Sequence, residues 1–380
     1  MDPYDFNQII DRKASNSVRW DKYPANTLPL WVADMDFQSP PCVINALKER
    51  VSHGIYGYTH SPTKMKANIA QYLMDQYHWQ VDPEWIEIIP SIVSSLYSIA
   101  KHCTSRDGHI LTLKPVYHHI FNAAKNSGRA FDEVELQSND HQRLTLDTEA
   151  INSKHRGNSE LLFFCNPHNP GGTVYQKHEL TKIADYCQAH NLVICSDEIH
   201  CGMVYKGHQH TPIASLSEDA ADRTITLMSL NKTFNFPGAG LAWLICKNAS
   251  LRKRAVHEIG TVVPDPQLFS YVTTQAALDS GEPWRRALIH YLADNRNLLM
   301  QALAKSEKLK LYRMEASYLG WISCAALKMN DPSQLFLKYG VALQPGYMFN
   351  QPDHVRINIA TPRPILEEAL QRMQNALKAV

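Results

Sequence analysis

Ser229-Leu230-Asn231-Lys232-Thr233-Phe234-Asn235-Phe236-Pro237-Gly238 follows the run Thr224-Ile225-Thr226-Leu227-Met228 and precedes Leu241-Ala242-Trp243-Leu244-Ile245-Cys246. The flanking runs read as buried strands, and the quoted stretch as the loop joining them. Lys232 is the only charged residue from Met228 to Cys246. A lysine in such surroundings loses hydration, which lowers its pKa and favours the neutral amine. A neutral amine can form a Schiff base with a carbonyl group. Taken alone, the stretch fits a surface lysine at a strand–loop junction equally well.

Outward from this loop, apolar runs alternate with helical patterns. Residues 86–89, 109–113, 130–136, 161–165 and 192–195 read as strands. Helices are predicted over about 64–77, from Pro90-Ser91-Ile92-Val93 to about 101, and over 121–126, 147–153 and about 178–190. Apolar, non-alternating strands separated by helices predict an α/β fold, a mostly parallel sheet with helices on both faces. Ligands of such sheets bind beyond the carboxyl ends of the strands. Asn169, Asp197 and Lys232 each follow a strand and should gather on one edge. From about Pro283 the pattern changes to a long helix, short strands and a final helix over 364–378, which reads as a small α+β domain. The expected division is a large domain over 46–283 and a small domain formed by 1–45 with 284–380.

Composition narrows the functional classes. The 380 residues carry a net charge of +1, so neither a nucleic-acid footprint nor an anionic-membrane patch is expected. The apolar runs are strand-sized, too short for a membrane span. No basic-then-apolar leader opens the chain, so a cytoplasmic location is expected. The eight cysteines form no C-x-x-C pair, and buried free thiols are expected. His118-His119 and His208-x-His210 lack a carboxylate or cysteine at ligand spacing, so no metal site is expected.

The strand-end residues suit pyridoxal 5'-phosphate (PLP). Its aldehyde needs a lysine, its pyridine nitrogen a carboxylate, its phosphate amides and hydroxyls at a helix N-terminus, and its ring a stacking partner. Lys232 is the amine and Asp197 the carboxylate, a buried charge expected to need a cationic partner. Ser229 and the Ser91-Ile92-Val93 turn could hold phosphate, Tyr117 could stack, and Asn169 could donate to the phenolate oxygen. Each also has a structural reading: Asn169-Pro170-Gly171-Gly172 as a turn, Asp197 as a cap, Arg356 as an ion-pair partner.

The order Asn169-Pro170-Gly171-Gly172, Asp197, Ser229-x-x-Lys232 and Arg356 resembles fold-type-I PLP enzymes, those with the aspartate aminotransferase fold. Asp34-Met35-Asp36-Phe37, Tyr56-Gly57-Tyr58, Ser196-Asp197-Glu198-Ile199-His200, Lys232-Thr-Phe-Asn-Phe-Pro, Tyr318-Leu319-x-Trp321 and Pro345-Gly346-Tyr347 are most similar to the MalY–PatB group of C–S β-lyases. The resemblance implies that Lys232 is the Schiff-base lysine and catalytic base. It implies that Ser91, Ile92, Val93, Tyr117, Asn169, Asp197, His200 and Ser229 hold the cofactor. Tyr58 would reach the neighbouring subunit's phosphate in a homodimer, and Arg356 and Trp31 would meet the amino-acid substrate. The implied activity is β-elimination from cystathionine or related cysteine conjugates to a thiol, pyruvate and ammonia. An aminotransferase and a non-catalytic regulatory protein of the same fold remain as alternatives. The chain departs from the wider pattern at Ser91, where glycine is usual, at Gly171, where threonine is usual, and at Gly240, where many superfamily members carry an arginine.

Overall fold

The structure, a computed structural model, describes residues 4–139 and 142–380. Its larger sheet has seven strands in the order Ile86–Ile89, Ala242–Ile245, Thr224–Met228, Val193–Asp197, Ser159–Cys165, His109–Lys114, Ala130–Glu135. Neighbours pair in parallel except Ala242–Ile245, which runs antiparallel to both of its partners. Consecutive residues Leu161, Leu162, Phe163 and Phe164 are all fully buried, so both faces of the sheet are covered. That double burial explains why these strands show no alternation in the sequence. Each such side chain contributes about 1.5–3 kcal/mol through the area it removes from water.

The smaller sheet runs Leu28–Leu30, Val341–Pro345, His354–Asn358, Leu319–Ser323, Lys310–Leu311. Leu28–Leu30 pairs in parallel with Val341–Leu343, so an N-terminal segment completes a sheet made otherwise from the C-terminal part. We divide the chain on this pattern into 46–283 around the larger sheet, and 1–45 with 284–380 around the smaller; residues 1–3 lie outside the described residues.

Helix Leu268–Ser280 was not expected; its apolar residues show almost no helical periodicity. It ends at Gly281, and the long helix starts at Glu282 with Pro283 in its first turn, where the missing N–H costs nothing. Gly346 is dictated by close approach: a Cβ there would lie 2.1 Å from the Gln351 carbonyl oxygen and 2.4 Å from that of His354. Of the eight free cysteines, all but Cys42 are buried. Among the described residues no group of three or more His, Cys, Asp or Glu side chains could hold a metal, and no helix is long and apolar enough to cross a membrane.

Candidate active site

The parallel strands deliver their polar residues to one edge. Ser159–Cys165 precedes Asn169, Val193–Asp197 ends in Asp197, and Thr224–Met228 precedes Ser229 and Lys232. His109–Lys114 leads to Tyr117, and Ile86–Ile89 to Ser91 and the helix Ile92–His102. Because Ala242–Ile245 runs the opposite way, its beginning, next to Gly240, lies on this edge too. A cavity of about 480 Å³ opens there. It is lined by Trp31, Ser91, Ile92, Val93, Tyr117, Asn169, Asp197, His200, Lys232 and Arg356, so ten of the twelve site residues expected from the sequence come together.

Lys232 donates through Nζ to the Ala33 carbonyl at 2.6 Å. Burial lowers its pKa to about 8, with the positive charge of Arg356 adding to that and Asp34 and Asp197 opposing it. The Asp197 side chain, 3% exposed, accepts one hydrogen bond among the described residues, from the Ile199 N–H at 3.2 Å. Burial raises its pKa to about 7. It makes no ion pair with a cation among the described residues; Lys232, whose charge lowers the pKa of Asp197, bonds a carbonyl instead. Arg356, 4% exposed, donates to Asn169 Oδ1 at 3.0 Å and to the Trp31 carbonyl at 3.1 Å, while its Nε is buried without a partner. Burial pulls its pKa down to about 10. Burial likewise pushes the Tyr117 hydroxyl up to about 12, with the Asp197 charge adding to the shift. His200 is held neutral, its pKa lowered by burial to about 3, and its Nδ1 lies 3.3 Å from Ser317 Oγ.

Trp31, Val32 and Ala33 form one wall, and the segment 31–37 that carries them is clamped from two sides. Asn235, two residues before Pro237 and in the left-handed region (φ 55°), exchanges hydrogen bonds with Met35 and donates to the Phe37 carbonyl at 2.6 Å. Asn358 donates to the carbonyls of Val32 and Asp34, and Tyr318 to that of Ala33. Asp34 and Asp36 are paired with Arg12 and Arg19, which fixes the later part of the segment. Trp31 carries the Lys22 ammonium 4.1 Å from its ring centroid.

Two expected residues stand elsewhere. Ser229 is 2% exposed and does not line the cavity; its Oγ donates to the Leu241 carbonyl at 2.6 Å and accepts from the Asn231 N–H. The hydroxyl is thus spent on joining the two ends of the lysine loop. Tyr58 is fully exposed, in a stretch where residues 51–58 are all exposed and include Ile55 and Tyr56. Asn231, His118, Gln344 and Met348 line the cavity and were not anticipated. Asn231 and His118 adjoin recognised residues, a usable cue. Gln344 and Met348 come from the far end of the chain and carry no chemical pattern.

The residues fit PLP. Asp197 is a buried carboxylate lacking a protein cation, which a protonated pyridine nitrogen would satisfy. Lys232 is a half-buried lysine whose amine loses enough hydration to lower its pKa to about 8. Ser91 caps the helix Ile92–His102 by accepting from the Val93 N–H at 3.1 Å, leaving the helix N-terminus facing the cavity for a phosphate.

The chain is similar to known proteins over almost its whole length. The model of the family "Aminotransferase class I and II" matches residues 25–373. Cystathionine beta-lyase PatB of Bacillus subtilis is 32% identical, over 98% of this chain and 99% of its own. The crystal structure of OvoB superimposes with a TM-score of 0.96 at 39% identity, covering 99% of this chain and all of the other. That of cystalysin from Treponema denticola, which contains PLP, gives a TM-score of 0.93 at 30% identity, covering 99% of each.

Proposed function

The chain belongs to the aminotransferase class I and II family and is a PLP-dependent enzyme of its MalY–PatB group of C–S lyases, and from that premise we propose that it cleaves the Cβ–S bond of cystathionine or related cysteine S-conjugates, yielding a thiol, pyruvate and ammonia. The observation that carries this reading is the pairing of Lys232 with Arg356 in one cavity. Arg356 is a buried guanidinium with no carboxylate partner among the described residues, suited to an amino acid's α-carboxylate.

Bound PLP supplies a carbonyl that captures the substrate amine and an electron-poor ring that accepts the electrons left at Cα. Arg356 holds the α-carboxylate, and its links to Asn169 and the Trp31 carbonyl fix the plane of its fork. Asp197, charged once a cation faces it, would keep a proton on the pyridine nitrogen. Lys232, neutral in part at pH 7 because burial brings its pKa to about 8, removes the Cα proton through Nζ and returns a proton to the departing thiolate. Ala33 holds that Nζ by its carbonyl. Trp31, Gln344 and Met348 form the wall beside Arg356. Asn169 and Tyr117 would hold the ring, with His200 a neutral neighbour. Tyr58, exposed in the single chain, reaches the partner's site in a homodimer.

The test offers the purified protein cystathionine and a panel of cysteine S-conjugates with no keto acid present. Thiol and pyruvate in equal amounts are expected. Amino transfer only when a keto acid is added would favour an aminotransferase, and a PLP-loaded protein inert toward every conjugate would favour a regulatory role.

A further inference from the structure

Asp197 is followed in the chain by a second buried carboxylate, Glu198. Side chains alternate along an extended backbone, so Asp197 lines the cavity while Ser196 and Glu198 lie on the other side of the strand end. There Glu198 Oε1 accepts from Ser196 Oγ at 2.9 Å and from the Ile213 N–H at 3.4 Å. Its Oε2 lies 2.7 Å from His210 Nε2. His210 is buried too, its Nδ1 has no partner among the described residues, and the Tyr77 ring stands edge-on to it at 5.3 Å. The backbone between the two carboxylates is tied on both sides. The Asp197 carbonyl accepts from the Asn166 N–H at 3.0 Å, and the Glu198 N–H donates to the Leu227 carbonyl at 2.8 Å. Neither acid can move away from the other.

Two buried carboxylates on consecutive residues repel, and the Glu198 charge opposes ionisation of Asp197. The other titratable groups that interact with Asp197 are Tyr117, Cys165, Cys195 and Lys232. Burial keeps the first three protonated and uncharged, and it does the same for Tyr77 beside His210. Lys232 bonds Ala33. His210 is therefore the group placed to cancel the charge of Glu198. We propose that Glu198 and His210 are positioning residues for Asp197, a pair that carries no net charge and leaves Asp197 as the single negative charge of the strand end, aimed at the cofactor's pyridine nitrogen. The aim at the cofactor rests on the PLP reading of the site; the charge balance does not.

The experiment follows the titration of the Asp197 carboxyl carbon by NMR in the cofactor-free protein, the signal being assigned by its loss in Asp197→Asn. PLP affinity and the thermal unfolding midpoint are recorded for each variant. His210→Gln keeps a donor for Glu198 but cannot carry charge. It should raise the Asp197 midpoint from its wild-type place near 7 by about one unit or more, and weaken PLP roughly tenfold. The double variant Glu198→Gln, His210→Gln is neutral again. It should bring the midpoint to within about half a unit of wild type and recover most of the PLP affinity. An Asp197 midpoint that His210→Gln leaves in place overturns the proposal. So does a double variant that binds PLP no better than His210→Gln, the result of a pair that only holds the loop. Should His210→Gln fail to fold, Glu198→Gln decides: its Asp197 midpoint should stay or fall, and a rise overturns the proposal. Wild-type protein that binds no PLP ends the cofactor reading, and the carbon titration then decides the charge balance alone.

Discussion

Arg143 and Arg356 are both buried guanidinium groups, 7% and 4% exposed, yet the chain treats them in opposite ways. Arg143 bonds Glu179 through two nitrogens at 2.6 and 2.8 Å, Glu315 through Nε at 3.1 Å, and the Val174 carbonyl at 2.8 Å. Burial alone would lower its pKa, but the two carboxylates more than offset that and raise it. Arg356 has a side-chain amide and a carbonyl instead of a carboxylate, and its pKa falls. The first arrangement is closed: it pins the turn after Asn169, where Glu315 also accepts from the Val174 N–H. The second is open. Asp197 shares that character, as a buried carboxylate without a cation. A buried charge left unpaired by the protein is costly, and it marks a place where a ligand brings the opposite charge.

The largest expected effect falls on the open set. Lys232→Ala should lower turnover by on the order of 10⁴-fold and abolish the visible absorbance of the bound cofactor, since it removes both the proton carrier and the covalent link. A variant that keeps both would break the assignment. Next comes the contrast between the arginines. Arg143→Met strands two carboxylates and should cost about 3–5 kcal/mol in denaturant unfolding. Arg356→Met should change the unfolding free energy by less than about 1 kcal/mol, since it loses two hydrogen bonds but also a desolvated charge. Its kcat/KM should nevertheless fall roughly 100-fold for want of a carboxylate partner. Equal destabilisation by both variants would erase the distinction. A smaller effect concerns pH. Capture of PLP by the cofactor-free protein needs a neutral Lys232, so its rate should rise roughly tenfold from pH 7 to 9 and then level off. A rate still climbing above pH 10 would show an unperturbed lysine.

The two regions also differ in how far the sequence reveals them. Asn169, Asp197 and Lys232 were legible because an unalternating strand followed by a lone polar residue is a local pattern, and parallel strands must align their ends. The α/β class followed from the same runs. Arg356 was placed by resemblance and then by its pairing across the smaller sheet. What stayed hidden depends on contacts between distant segments. The bond of Lys232 to Ala33 joins residues 199 positions apart, and that of Arg356 to Trp31 joins residues 325 apart. Ser229 was singled out by its spacing from Lys232, and its hydroxyl donates to the Leu241 carbonyl, a contact no spacing rule discloses. The reversed strand Ala242–Ile245 was hidden as well, because an apolar run reads the same in either direction.

The claim that Asp197 is left unpaired for the cofactor can be tested through the pH dependence of stability, comparing wild type with Asp197→Asn, each without and with PLP. Folded, Asp197 keeps its proton up to about pH 7; unfolded, it releases it near its ordinary value of 3.8. The folded state therefore binds the extra proton between those values, and this residue's contribution to the unfolding free energy falls as pH rises through them, by on the order of 4 kcal/mol, then levels off. The expected result is a wild-type decline across pH 4 to 7 that Asp197→Asn lacks, and that PLP abolishes in the wild type by supplying a positively charged partner. A wild-type profile that matches Asp197→Asn without cofactor, or that keeps its slope when PLP is bound, would contradict it.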